Sequence, residues 1–205
     1  FCQSTNYISV KYGQANGGND IEYENGFNFY KDEDILKENS FRKNLDFINI
    51  GNHTYSGKNK LSIKSDIEIE IHFPPSITSL KSFFDSNLDN NVINIISIDF
   101  THLNTSFITD LSNLFKGCSA LESLNLSEFD TISVKDMSSM FQGCKALKSL
   151  DLSRFNTSFV SNMNSMFQGC KALKSLDLSR FDTSSVTNMH QMFDSCEKLA
   201  FLDIS

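Results

Sequence analysis

Apolar and polar positions along the second half of this chain follow a pattern that returns every 26 residues. Met140 to Phe155 reads MFQGCKALKSLDLSRF, and Met166 to Phe181 repeats all sixteen residues. The same interval links Phe115, Phe141, Phe167 and Phe193, and likewise Leu126, Leu152, Leu178 and Ile204. Within one unit Leu150, Leu152 and Phe155 fall on one side, Asp151 and Ser153 on the other. That alternation has the period of a short strand. Val160, Met163, Met166 and Phe167 follow at helical spacing, with Asn162 where an N-cap belongs and Gly169 where a C′ glycine belongs. A single unit cannot bury its own apolar edge, whereas stacked units can. The pattern predicts an α/β repeat: a right-handed solenoid with a parallel sheet on one side and short helices on the other.

The unit can be written L-x-x-L-D-L-S-x-F-[DN]-T-S-x-V-x-[DN]-M-x-x-M-F-x-G-C-x-x, and three consecutive copies start near Leu121, Leu147 and Leu173. A looser copy places Ile98, Phe100 and Leu103 where Leu124, Leu126 and Phe129 stand later. Phe73 to Phe84 matches Phe129 to Phe141 with one residue deleted, and Asp85 to Ile96 reads as a loop with about five extra residues. Residues 61–205 are therefore expected to form the repeat domain, its first units degenerate and its last one cut short at Asp203-Ile204-Ser205. Residues 1–60 carry no repeat and are expected to cap the open end of the stack, a separate small domain being the alternative. In that segment Gln14 to Asp20 reads as a loop, Tyr30 to Asn39 as a short helix, and Leu45 to Ile50 as a strand; Leu61 to Ile71, at the start of the repeats, reads as another. The chain opens on Phe1, so it reads as a mature product or a fragment of a parent that continues past Ser205.

The L-x-x-L-x-L skeleton resembles that of leucine-rich repeats. The longer form F-D-T-S-x-V-x-x-M-x-x-M-F-x-G-C-x-x-L-x-x-L-D-L-S resembles the BspA-like leucine-rich repeat surface proteins. The match is close over Ile98 to Ser205 and weak over Leu61 to Ser97. The resemblance implies a leucine-rich-repeat solenoid on a bacterial or protist surface, associated with adhesion to host matrix or to other cells.

Charge changes the picture only by exclusion. The net charge is −7, from 18 basic and 25 acidic residues. The acidity is spread evenly, with 9 basic and 12 acidic residues from Ile98 onward. Sequence-independent nucleic-acid binding therefore lacks electrostatic support. No apolar run approaches the 18 or so residues of a membrane span, so no transmembrane segment is expected.

Four of the five cysteines, Cys118, Cys144, Cys170 and Cys196, share one repeat position and are expected to form a structural column. A buried ladder of free thiols is one reading. Disulfides between neighbouring units are the other, although side chains that all point inward reach a good dihedral poorly. A linear column does not make a tetrahedral metal site, so no metal is assigned there. Cys2 fits a lipid-modified cysteine poorly, because Phe1 precedes it.

The candidate partner-binding face lies on the strands. Asn125, Asp151, Asp177 and Asp203 are expected to form one outward column and Ser127, Ser153, Ser179 and Ser205 the next. Arg154 and Arg180 border these columns, and Lys148 and Lys174 lie on the opposite side. Stacked carboxylates repel by about 1 kcal/mol per neighbouring pair in water. Hydrogen bonds to the next unit's serine or backbone, the flanking cations or a bound calcium ion would offset this, and a solvated, self-paired ladder is the simplest of these. The Asx-Thr-Ser segments read as turn formers. Asn52, Asn104, Asn125 and Asn156 stand in N-x-[ST] sequons; Asn52, Asn104 and Asn156 are the candidate glycosylation sites, whereas Asn125 lies in a strand. No HExxH, Walker or G-x-S-x-G motif occurs, and the four histidines are scattered. The expectation is a non-enzymatic surface recognition or adhesion module, extracellular or at the cell surface. It would bind a protein or glycan through the face of the units and need no cofactor. The alternative is an intracellular or structural scaffold without an adhesive role.

Overall fold

The computed structural model describes residues 6–12, 21–23, 48–50, 53–55, 61–63, 68–73, 77–86 and 95–205. Ten strands run in chain order: β1 (Tyr7–Tyr12), β2 (Ile21–Tyr23), β3 (Ile48–Ile50), β4 (His53–Tyr55), β5 (Leu61–Ile63), β6 (Glu68–His72), β7 (Ile95–Asp99), β8 (Ser123–Asn125), β9 (Ser175–Asp177) and β10 (Phe201–Asp203). Six form a mixed sheet in the order β4-β3-β6-β1-β7-β8. In that sheet β1 runs antiparallel to both β6 and β7, whereas β7 and β8 are parallel. The β9–β10 pair is parallel, and the β2–β5 pair is antiparallel. The short helix expected over Tyr30 to Asn39 and the loop at Gln14 to Asp20 lie outside the described residues.

The structure corrects the expected fold class. A leucine-rich-repeat solenoid with short helices on one side is not what the chain builds: no helix occurs among the described residues, and the main sheet is largely antiparallel. The physical reason lies in where the backbone N–H groups go. An α-helix needs each N–H to reach the carbonyl four residues back. Here Met137, Ser139, Phe141 and Gly143 instead donate to the carbonyls of Asn162, Asn164, Met166 and Gln168 in the following unit, at 2.7–3.0 Å. The intervening Met140, Gln142 and Cys144 donate three residues back and form turns. Ser139 and Ser165 have φ of 54°, a left-handed conformation that interrupts any helix. Asn162 does accept an N–H with its side chain, from Asn164 at 3.1 Å, but it tightens a turn rather than starting a helix. Bridges Asp110–Asp136, Asp136–Asn162 and Asn162–Asn188 mark the 26-residue interval, and the first, Ser79–Asp110, spans 31 residues.

The apolar side chains fill one continuous core beneath these ladders. Phe84, Phe115, Phe141, Phe167 and Phe193 stack as one column with ring centroids 5.5–6.0 Å apart. Phe100, Phe129 and Phe155 form a second. Ile8 and Val10 of β1, and Ile71 of β6, are buried in the same core. Strand β1, from a segment with no repeat, is thus joined to the repeats by both hydrogen bonds and apolar packing.

Candidate functional site

The outward face is set by the alternation that buries Ile98, Leu152, Leu176 and Leu178 and turns their neighbours to solvent. Asn125, Ser127, Lys148, Asp151, Ser153, Arg154, Lys174, Asp177, Ser179 and Arg180 are all exposed, and Asp203 is half-buried. Parallel register aligns Asp99 with Asn125 and Asp177 with Asp203. Leu150 to Leu152 is not part of a strand, although Leu152 is buried and Asp151 and Ser153 are exposed.

Each acidic or amide side chain of this column is held by its own unit. Asp151 Oδ1 accepts the Ser153 N–H at 2.9 Å, and Asp177 Oδ1 accepts both the N–H and the hydroxyl of Ser179 at 2.9 and 2.6 Å. Asn125 Oδ1 accepts the Ser127 N–H at 3.2 Å, and Asp203 Oδ1 the Ser205 N–H at 3.0 Å. These bonds stabilise the charged form. The Ser153 backbone and hydroxyl hold the Asp151 carboxyl below its ordinary range, and the Ser179 hydroxyl and backbone do the same for Asp177. Local Asx turns therefore offset the mutual repulsion of Asp151 and Asp177. Among the flanking cations, Lys148 pairs with Glu122 at 3.2 Å, and Lys174 joins the ladder through its N–H to the Lys148 carbonyl at 3.3 Å. Among the described residues, no group of His, Cys, Asp and Glu is arranged to hold a metal ion.

Two parts of the site escaped the sequence reading. Ser97, Ser123, Ser149 and Ser175 recur two residues before the acidic column, and β7 pairs Ser97 with Ser123. The S-[IL]-[DN] spacing carried that signal. Strand β1 adds Ser9 opposite Asp99 and Lys11 opposite Ser97. With Ser97, Asp99, Ser123 and Asn125 they line a groove of about 310 Å³ floored by Ile98 and Leu124. No local signal placed β1 there.

The thiol column is inward. Cys118, Cys144 and Cys170 are buried, Cys196 is half-buried, and all four are free. Each Sγ donates to a backbone carbonyl of the preceding unit: Phe84, Phe115, Phe141 and Phe167 in turn, at 3.0–3.3 Å. Burial pushes the Cys170 thiol up to about 12 and the Cys118 and Cys144 thiols well above their ordinary 9.0. Thiolate is the reactive form. In the native protein at pH 8, a maleimide should modify Cys196 and spare Cys118, Cys144 and Cys170. All four should react in denaturant. Peptide mapping by mass spectrometry reads the difference, and rapid native labelling of Cys144 would show that the column opens.

The sequon side chains are engaged in turns. Asn104 Oδ1 accepts the N–H and hydroxyl of Ser106 at 3.1 and 2.7 Å, and Asn156 Oδ1 those of Ser158 at 3.0 and 2.7 Å. Both are exposed, and Asn52 lies outside the described residues. Between them Thr105, Thr131 and Thr157 are buried and donate to the carbonyls of Asp130, Asn156 and Asp182 in the following unit. Among the described residues no helix is long and apolar enough to cross a membrane.

A family model described as "Mycoplasma protein of unknown function, DUF285" matches residues 78–202, more than half of the chain. No curated protein and no solved structure matches it.

Proposed function

The chain belongs to the DUF285 family, and from that premise we propose that it is a surface recognition and adhesion module, extracellular or at the cell surface, that binds a protein or glycan through the outward face of its units. The observation that carries this reading is the exposed Asp/Asn-Ser array. Its polar groups are locked by local turns, so a partner meets them already ordered and pays little for their immobilisation. Repetition multiplies weak contacts along the face. The resemblance to BspA-like surface proteins supports the cellular location and the adhesive role. With no motif for catalysis in the sequence, the reading is of a binding protein and not an enzyme.

The buried free thiols favour a second reading, an intracellular scaffold, because a reducing compartment keeps thiols free. Location separates the two. Antibody labelling of intact cells should give a signal that external protease removes. Signal only after permeabilisation would sink the adhesion reading and leave the scaffold. Variants then test the face itself. Asp177→Asn retains the Oδ1 acceptor that Asn125 uses natively and removes one charge. It should weaken cell or matrix binding several-fold with unchanged circular dichroism, about 1 kcal/mol. Undiminished binding by both Asp177→Asn and Asp151→Asn would show that the carboxylate column is not the working surface.

A further inference from the structure

We infer that the strip formed by Phe107, Ile132 and Phe159 binds a β-1,4-linked glycan, laid along the stack with alternate sugar rings on the two phenylalanines. This rests on the glycan arm of the proposed function, and it places that arm on the turn edge of the units rather than on the Asp/Asn-Ser array. Phe107 is 58 % exposed, Ile132 50 % and Phe159 64 %, whereas the adjacent Ile108, Val134 and Val160 are buried. Single exposed apolar residues are ordinary, but one in each of three consecutive units makes a strip. The fold does not require these side chains. Ser133 and Ser185 hold the same repeat position as Phe107 and Phe159. Their hydroxyls donate to the Ser106 and Ser158 carbonyls of the preceding unit at 2.9 and 2.8 Å. Phenylalanine forgoes that bond and buries little in exchange.

This edge has a period of its own. Asn104 to Phe107 reads NTSF, and Asn156 to Phe159, two units on, reads the same. The other two units read DTIS from Asp130 and DTSS from Asp182. An amide and a ring thus alternate with a carboxylate and a hydroxyl. The buried Thr105, Thr131 and Thr157 each donate to the Asx carbonyl one unit on and hold these turns in step. Paired strands stand about 4.8 Å apart, so a two-unit pattern recurs over about 10 Å. A ligand lying along it must repeat over the same length. In a β-1,4-linked glycan each sugar is turned half a revolution from the last, so the same ring face returns at every second sugar, over a matching distance. The C–H face of a pyranose suits the negative face of an aromatic ring. Its hydroxyls both donate and accept, and the edge offers both. The Oδ1 atoms of Asn104, Asp130, Asn156 and Asp182 are taken by their own turns, which leaves amide N–H groups at two units and carboxylate Oδ2 atoms at the other two. An extended peptide returns a side chain every two residues, about 7 Å, and falls out of step. A polyproline helix turns over about 9 Å and fits the rings, but it has no N–H to offer Asp130 and Asp182.

Calorimetric titration of the full chain tests the assignment, with the protein made in a bacterial host so that the sequons at Asn104 and Asn156 carry no glycan. Cellohexaose is expected to bind with a Kd of about 0.1–1 mM. Maltohexaose, the same glucose units joined by α-linkages that curl the chain, should bind at least tenfold more weakly, and decaproline no better. Cellobiose is too short to reach both rings and should also lose at least tenfold. Phe107→Ser and Phe159→Ser install the residue native to the alternate units. Each should weaken cellohexaose about tenfold with unchanged circular dichroism. Ser133→Phe adds a ring out of step and should not tighten binding. Equal binding of cellohexaose and maltohexaose, no binding of either, insensitivity to both serine variants, or tighter binding by Ser133→Phe overturns the assignment. Preference for decaproline also overturns it and gives the strip to a proline-rich peptide. The outcome is separable from the adhesion reading. Protease-sensitive surface signal with no cellohexaose binding leaves adhesion standing and removes this site. Cellohexaose binding by a chain found only inside the cell does the reverse.

Discussion

Phe141→Ala should lower the free energy of unfolding by about 3–5 kcal/mol, the range for deleting a fully buried aromatic side chain. Phe141 is 0 % exposed and lies between Phe115 at 5.5 Å and Phe167 at 5.6 Å. The substitution removes the buried area and two ring contacts, each of the latter about 0.5–1.5 kcal/mol beyond area. The flanking N–H ladder limits collapse, because Phe141 itself donates to the Met166 carbonyl at 2.9 Å. The cavity therefore persists and the cost falls toward the upper end. Phe193 occupies the same repeat position but is half-buried and, among the described residues, stacks on Phe167 alone. Phe193→Ala should cost roughly half as much. Urea titrations followed by far-ultraviolet circular dichroism compare the two. Equal losses would mean that the ring column is not the principal source of cohesion between units.

The same column shows how far the sequence carries. The apolar inward positions of the repeats were legible, because a 26-residue return of Phe, Leu, Met and Cys is satisfied by burying those side chains together, whereas the buried Thr105, Thr131 and Thr157 were not. The Asx-Thr-Ser segments were legible as turns as well, since a short acceptor two residues before an N–H makes an Asx turn with no help from afar. The same logic applies to Asp151–Ser153 and Asp177–Ser179, where the pattern suggested only neighbouring outward columns bonded to the next unit. The helix was misread for a physical reason. Val160, Met163, Met166 and Phe167 have helical spacing, but consecutive turns with carbonyls three residues back bring the same positions inward. What separates the two is the destination of the other N–H groups, and that depends on a neighbouring unit. The cue that was present is Ser165 between Met163 and Met166, with Gly169 four residues on; both take positive φ, 54° and 72°. The groove could not be read at all. It needs β1 beside β7, a pairing between segments almost ninety residues apart, and strand register over such distances is set by tertiary packing rather than by local pattern.

Gly117→Ala is the backbone counterpart of the aromatic deletion and should destabilise by about 2–4 kcal/mol. Gly117 has φ of 75°, where a Cβ alone costs about 1–2 kcal/mol. A Cβ there would also lie 1.8 Å from Ser86 Oγ and 2.8 Å from Ser86 Cβ. Rotation of the Ser86 hydroxyl relieves the first contact. The second remains unless the backbone moves, and the Ser86 N–H is tied to the Lys116 carbonyl at 2.8 Å. Gly143 separates the two costs. Its φ is 76°, yet the nearest atom to an added Cβ is the Gly117 Cα at 3.4 Å, a mild contact. Gly143→Ala should therefore show only the conformational cost, about 1–2 kcal/mol. Ser195, at φ 57° in the last unit, shows that this place in the ladder tolerates a side chain when nothing presses on it. Adding Ser86→Gly to Gly117→Ala should recover the difference, because it removes both colliding atoms. Denaturant midpoints of the three variants decide the matter. If Gly117→Ala and Gly143→Ala lose equal stability, contact with Ser86 contributes nothing and the φ cost explains both.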